Sequence, residues 1–250
     1  MTAPRVAQGT RRRNLTIVAL AVLIVLVAAG GYGLWYLFLR PSGPAAVSSE
    51  ALVLPSEAVS SPLVAGGLAG TWNVDTSIGS AADSTDSFVG YRVQEQLANI
   101  GANTAVGRTA SVSGTLTISG SQLTAATISA DLTGLQSDDQ RRDGQLVNHG
   151  LETATFPTAT FTLTSPVDLG ATPTDGAEID VTATGTLTLH GHTRSVQIPL
   201  KARLSGSIIE VVGSLPIDFS DYGIEAPTSF AVLSVSDEGT MELQLFFSHA

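Results

Sequence analysis

The fold is decided by residues 179–204, IDVTATGTLTLHGHTRSVQIPLKARL, in which apolar and polar side chains alternate along two successive runs. The first run ends at Leu189, and His190-Gly191 after it has the composition of a tight turn. Alternation with a period of two, rich in β-branched residues, is typical of strands that bury one face and expose the other. This stretch therefore predicts a β-hairpin.

The same alternation recurs through most of the chain after Thr71. It runs through residues 112–118, 209–219 and 241–247, with turn signals at Ser119-Gly120 and 237–239. Strands joined by such short turns pair antiparallel, so the predicted fold class is all-β with about eight strands. Periodicity alone leaves two architectures open, a closed barrel and a two-layer sandwich.

Two segments depart from this pattern. Residues 87–99 are ambiguous between strand and helix. Residues 137–151 predict a short helix, because Ser137 and Gln140 have capping-box spacing and Asp138 and Asp139 fall in the first turn.

The N-terminal part predicts a membrane anchor. The segment from Asn14 to Leu39 contains no charged side chain, and it is long enough to form a helix that crosses a bilayer. Arg11–Arg13 precede this span and Tyr32, Trp35 and Tyr36 lie near its far end, as expected for a cytoplasmic N-terminus. The alternative is a cleaved signal peptide. In signal peptides, however, the apolar core has about 7–15 residues and the small residues follow it, whereas the core here is longer and has its small residues in the middle.

Four parts of the chain follow from this. Residues 1–13 form a cytoplasmic arm, 14–39 a transmembrane helix, 40–70 a flexible linker rich in Pro, Ser, Ala and Gly, and 71–250 the β domain. The predicted location is the cell membrane, crossed once, with the β domain on the extracytoplasmic side.

Composition excludes several kinds of function. The chain has no cysteine, so disulfides and thiolate metal sites are impossible. Five of the 12 basic residues lie in the first forty positions, namely Arg5, Arg11–Arg13 and Arg40. The rest of the chain has seven basic and all 22 acidic residues, and this negative charge disfavours nucleic acid as a partner. His190 and His192 flank one turn without a third metal ligand, and no nucleophile motif occurs. We expect no catalytic residues, no metal and no cofactor.

Four ordered segments resemble the YceI-like family of bacterial lipocalin-like domains. Trp72-Asn73-Val74-Asp75 with Ser77 resembles its opening element, and Arg142-Asp143-Gly144-Gln145-Leu146 with 156–161 (FPTATF) resembles its R-D-x-x-L … F-P-x-x-x-F stretch. Residues 185–196 (GTLTLHGHTRSV) resemble its G-x-L-T hairpin, and 217–224 (IDFSDYGI) its late segment. The first strand pair lacks the histidine that the family often carries there.

The resemblance implies an antiparallel, lipocalin-like barrel of about eight strands with a short helix. Such a barrel encloses an apolar tunnel for an isoprenoid chain, as in quinone or polyprenyl-phosphate lipids. The small residues Gly114, Ala183, Gly185, Ala202 and Gly213 on alternating positions agree, because they leave room inside.

Eight residues are candidates for ligand contact. Seven of them are apolar or aromatic: Tyr91, Leu146, Phe156, Phe161, Phe219, Tyr222 and Phe230. The eighth, Arg142, either meets a head group as a bidentate donor or forms an ion pair with Asp143 or Asp75.

The sequence thus predicts a membrane-tethered, extracytoplasmic protein that holds an isoprenoid lipid and performs no chemistry. The alternative is a structural or adhesive β-sandwich at the cell envelope with a filled core and no ligand.

Overall fold

A computed structural model describes residues 21–32, 44–47, 67–98, 101–170, 176–227 and 232–250. Within these ranges the chain forms a helical segment at 21–32, twelve antiparallel strands and a short helix within the β domain. The strands are β1 (Gly70–Val74), β2 (Phe88–Leu97), β3 (Gly101–Thr109), β4 (Val112–Ser119), β5 (Gln122–Asp131), β6 (Gln136–Ser137), β7 (Thr158–Leu163), β8 (Val167–Asp168), β9 (Glu178–Leu189), β10 (His192–Ser205), β11 (Ile208–Asp218) and β12 (Val232–His249).

Eight strands close into a barrel. They pair in the order β1-β4-β5-β7-β9-β10-β11-β12, and β1 pairs again with β12. Trp72 lies at this closure, opposite Leu116 on one side and His249 on the other. The ring confirms the barrel and excludes the sandwich that periodicity had left open.

The remaining longer strands extend one side of the barrel. β12 pairs with β1 near its C-terminus and with β2 along Val232–Gln244, while β3 pairs with β2. The ambiguous segment 87–99 is therefore mostly strand β2.

The predicted helix spans Gln140–Asn148, but its N-cap differs from the expected one. Asp139 is the N-cap, since its side chain accepts a hydrogen bond from the backbone N–H of Arg141. Ser137 lies in β6 instead, and its hydroxyl donates to Asp143 Oδ1 over 2.6 Å. A carboxylate two residues later thus replaced the expected serine cap, because both side chains suit this position.

The barrel has two distinct ends. The helix, the β9–β10 turn and a 3-10 turn at Phe219–Tyr222 lie at one, called the helix end. The β4–β5 turn, β8 and the β10–β11 turn lie at the other, called the open end. In the β9–β10 turn His190 and Gly191 both have positive φ, as tight hairpin turns of the I′ type require.

Most of the predicted membrane span lies outside the described residues. Residues 21–32 are helical and exposed, whereas 14–20 and 33–39 are not described. No helix within the described ranges is both long and apolar enough to cross a membrane. The anchor and the single-pass arrangement remain predictions from the sequence.

The linker is described at 44–47 and from 67 onward. Leu68 already belongs to the core, because it is buried and its carbonyl accepts a hydrogen bond from Trp72 Nε1. The packed core therefore begins a few residues before Thr71.

Candidate functional site

The barrel encloses an apolar cavity of about 140 Å³. Its wall is formed by residues of β2, β4, β5, β7 and β9–β12 together with Leu68 and Leu169. These side chains are aliphatic apart from Phe161, Phe247, Thr160 and Arg203. Such a wall offers dispersion contact and almost no hydrogen bonding, which suits a hydrocarbon chain.

The exposure of the wall residues differs between the two ends of the barrel. Toward the helix end Ala183, Leu187 and Ile198 are buried. Toward the opposite end inward side chains stay partly exposed, namely Leu123, Leu169, Ile179 and Leu204. The four partly exposed wall residues therefore lie toward the open end.

A second core cluster fills the helix end. It comprises the buried residues Leu187, Ile198, Leu215, Ile217, Tyr222 and Ile224. Phe219 and Leu151 pack against it from the outside. Leu187 and Ile198 belong both to this cluster and to the cavity wall, so the cluster borders the cavity at the helix end.

Five of the six candidate aromatic residues lie within the described ranges, and four of them are the phenylalanines Phe156, Phe161 and Phe219 and the tyrosine Tyr222 around this cluster. Phe161 lines the cavity, Tyr222 belongs to the cluster and Phe219 packs on it. Phe156 packs edge-on against His190, with ring centroids 4.4 Å apart, outside the cavity wall. Phe230 lies outside the described residues.

Leu146 is on the helix, half-buried, and does not line the cavity. Thr153, in the loop that follows the helix, donates its N–H to the Leu146 carbonyl. Ligand contact by Leu146 remains a prediction.

The small residues divide into two kinds. Ala183 and Ala202 line the cavity as the sequence predicted. A Cβ at Gly185 would instead meet the Phe161 ring, and one at Gly213 would meet Leu200. These glycines accommodate a neighbour across the sheet and do not widen the cavity, a distinction that alternation cannot make.

Arg142 is held in an ion-pair network beneath the helix. Its Nη2 donates to Glu95 Oε1 and its Nη1 to Asp138 Oδ1, each over 2.6 Å. The expected partners were Asp143 and Asp75, but Asp143 binds Ser137 and Asp75 binds Ser77. Burial opposes the charge of Arg142, yet these hydrogen bonds outweigh it and raise its pKa. A head-group contact remains a prediction and would have to form alongside these bonds.

Tyr91 lies beside this network on β2. Its hydroxyl is buried and has no hydrogen-bond partner among the described residues. Burial raises the pKa of Tyr91 well above its ordinary value, with the charges of Arg142, Asp143 and Glu95 as smaller influences. The phenol therefore stays protonated and offers one unused donor.

A second ion-pair network, which the sequence did not predict, lies on the outer wall. Glu242 on β12 is only 2% exposed and binds Arg92 over 2.9 Å and Arg108 over 3.5 Å. The same two guanidinium groups donate to the carbonyls of Pro44 and Ala45, over 2.8 and 3.0 Å. This part of the linker is thereby held against the barrel.

Glu210 forms a third buried charge on the outer wall. It lies directly opposite Arg203 in the β10–β11 pair, and Arg203 Nη2 donates to its Oε2 over 2.8 Å. Its Oε1 has no partner in the described part of the chain. Burial raises the pKa of Glu210, although Arg203 partly offsets this effect.

The histidines at the β9–β10 turn serve a structural role. His190 is buried, with Nδ1 2.9 Å from the Tyr222 carbonyl oxygen and Nε2 2.9 Å from Glu152 Oε2. These contacts join the hairpin to the two loops that close the helix end. Within the described ranges no three metal-binding side chains cluster.

Comparisons with known proteins agree with this geometry. Residues 81–247 match the model of the YceI-like domain. A polyisoprenoid binding domain from Saccharophagus degradans, implicated in plant cell wall breakdown, aligns with a TM-score of 0.54 and 22% identity over 73% of this chain and 99% of that one.

Two further solved structures are more distant. BcnA from Burkholderia cenocepacia has a TM-score of 0.49 and 21% identity over 64% of this chain and 95% of its own. A mutant YceI protein from Campylobacter jejuni has a TM-score of 0.48 and 16% identity over 58% of this chain and 84% of its own. No curated protein matches the chain.

Proposed function

The chain belongs to the YceI-like family, and from this premise we propose that it is a lipid-binding protein whose barrel holds an isoprenoid chain of the quinone or polyprenyl-phosphate type. The observation that carries the proposal is the apolar cavity inside the barrel, next to the buried cluster that fills the helix end. A lipid tail enters from the open end, and its head remains near that rim.

Energetics support an occupant. A hydrocarbon tail that fills the apolar cavity is removed from water. Each methylene moved from water into such a wall contributes about 0.8 kcal/mol. A single isoprene unit, with five carbons, therefore contributes about 4 kcal/mol toward binding.

The proposed protein is a carrier or reservoir without chemistry of its own, and it needs no metal or cofactor. We further propose that residues 14–39 anchor it in the cell membrane, with the barrel on the extracytoplasmic side. This part of the proposal rests on the uncharged span and on the preceding Arg11–Arg13.

The test is lipid extraction from the purified full-length chain, followed by mass spectrometry. We expect about one isoprenoid molecule per protein in the wild type. Ala202→Phe, on the cavity wall, should reduce this occupancy at least five-fold. Gln197→Phe is the matched control, because Gln197 lies on the same strand with its side chain exposed.

Circular dichroism should show both variants folded. Two outcomes would contradict the proposal. One is a wild-type protein that neither carries an isoprenoid nor takes up an added one. The other is equal occupancy in the two folded variants.

A further inference from the structure

We propose that the isoprenoid held by this barrel has an uncharged head, such as a quinone or a free alcohol, and that phosphate and diphosphate heads are excluded. This inference rests on the proposed function and narrows its ligand class. It derives from the distribution of charge over the whole domain.

Most cations of the domain are already bound to carboxylates. After Arg40 the sequence contains seven basic residues. Five of them form ion pairs: Arg92 and Arg108 with Glu242, Arg142 with Glu95 and Asp138, Lys201 with Glu178 and Asp180, and Arg203 with Glu210.

A phosphate would have to compete with these carboxylates for the same guanidinium and ammonium groups. Glu242, Glu95 and Glu210 are at most 5% exposed. A buried carboxylate that loses its cation is left charged without compensation, which is strongly unfavourable. The ion pairs of Glu242, Glu95 and Glu210 are therefore costly to break.

Lys201 is the most exposed of these cations, and it lies on β10 close to the open end, as does Arg203, which is 24% exposed and lines the cavity. Its Nζ binds Glu178 over 2.6 Å and Asp180 over 3.1 Å. Asp168 adds a further exposed carboxylate at the same rim. An anionic head at the open end thus meets more carboxylates than cations.

The helix end offers an anion no better place. Arg141 and Arg194 are exposed and form no ion pair within the described ranges, but Asp221 and Glu225 lie at the same end. The helix N-terminus, a common anion site, is occupied by the carboxylate of Asp139 and has Asp143 in its first turn.

An uncharged head avoids these conflicts. The wall itself is apolar, so the ligand tail supplies the binding energy and the head needs only a hydrogen bond or water at the open rim. A diphosphate must instead keep its charge hydrated beside carboxylates. The barrel therefore selects against ligands with a charged head group, while its apolar wall places no such restriction on the hydrocarbon tail.

The experiment is a competition between two ligands with the same C20 tail, geranylgeraniol and geranylgeranyl diphosphate. The delipidated full-length protein in amphipol is incubated with an equimolar mixture, and bound lipid is quantified by mass spectrometry. We expect at least a ten-fold excess of bound alcohol in 0.1 M salt. In 1 M salt the excess should shrink, since screening weakens repulsion between exposed charges.

The outcomes separate the two proposals. Binding of neither ligand would overturn the proposed function, and this inference with it. Equal or greater uptake of the diphosphate would overturn the inference alone, because the barrel would still bind an isoprenoid.

A pair of charge variants tests the cause. Asp168→Lys changes the open rim, and Asp237→Lys makes the same change on an exposed residue at the helix end. We expect Asp168→Lys to raise diphosphate uptake at least three-fold and Asp237→Lys to leave it unchanged. If Asp168→Lys binds the alcohol normally without any gain in diphosphate, charge is not the selecting factor and the inference fails.

Discussion

The ring of Tyr91 lies directly over Gly107, its partner across the β2–β3 pair, so closely that any Cβ at position 107 would overlap the phenol. The missing side chain of Gly107 thus creates the space for Tyr91. The ring fills that space, but its hydroxyl ends without a hydrogen-bond partner among the described residues.

Tyr91→Phe should therefore stabilise the protein without its ligand. A buried hydroxyl that lacks a partner is destabilising, and its removal should raise the free energy of unfolding by about 1 kcal/mol. Chemical denaturation of the delipidated protein measures this change. A loss of stability would show that the hydroxyl has a partner that the structure does not reveal.

Two Gly→Ala substitutions should have opposite signs. Gly107→Ala forces a methyl group into the Tyr91 ring and should destabilise the domain by about 2 kcal/mol, as overpacking does. Gly144→Ala, on the exposed face of the helix, meets no atom within 4 Å and should stabilise by about 1 kcal/mol through helix propensity. Thermal unfolding of both variants is the measurement; equal signs would contradict the packing argument.

The features that could be predicted from the sequence are those formed by residues close together along the chain. Alternation and the turn signal at His190-Gly191 predicted the β9–β10 hairpin, which the structure confirms with Val196 opposite Gly185, because strands joined by a tight turn pair locally. Closure of the barrel through Trp72 and His249 is a contact between the two ends of the domain. Only the family resemblance predicted it.

The ion pairs of Glu95 and Glu242 could not be predicted from the sequence, because the partners are far apart along the chain. Arg142 lies near Asp138 and Asp143 in the chain, but its buried partner Glu95 is 47 residues away. Arg92 and Glu242 are 150 residues apart. Charge composition shows that cations and carboxylates are present, whereas pairing depends on which strands become neighbours.

The pH dependence of stability should contain a contribution from Glu210. Its pKa in the fold is raised by burial, so between its ordinary value of 4.5 and the folded value the native state holds the proton more tightly. This contribution is fully present below pH 4.5 and is lost as pH rises through the folded pKa.

Glu210→Gln isolates the effect, because an amide oxygen still accepts from Arg203 but does not titrate. Relative to the wild type, the variant should gain stability as pH rises from 4 to 7. Denaturant titrations across this range give the difference, and each 1.4 kcal/mol corresponds to one unit of pKa shift. A difference that is constant with pH would refute the assignment.

Two acid-to-amide variants compare buried and exposed ion pairs. Glu242→Gln leaves Arg92 and Arg108 without their buried counter-charge and should destabilise by about 3 kcal/mol or more. Glu178→Gln affects the half-exposed pair with Lys201 and should change stability by less than 1 kcal/mol. Similar effects in both variants would mean that burial does not decide the strength of these pairs.

Arg142 distinguishes a structural role from a ligand role. Arg142→Gln removes the cation that compensates Glu95, a side chain that is only 5% exposed, and should destabilise by about 3 kcal/mol. Adding Glu95→Gln removes the orphaned charge, so the double variant should recover at least half of this loss. The measurements are unfolding free energies for both single variants and the double variant, with isoprenoid occupancy from extraction of each folded protein. If occupancy falls in Arg142→Gln and stays low in the restabilised double variant, Arg142 touches the ligand; unchanged occupancy confines it to holding β2 and the helix together.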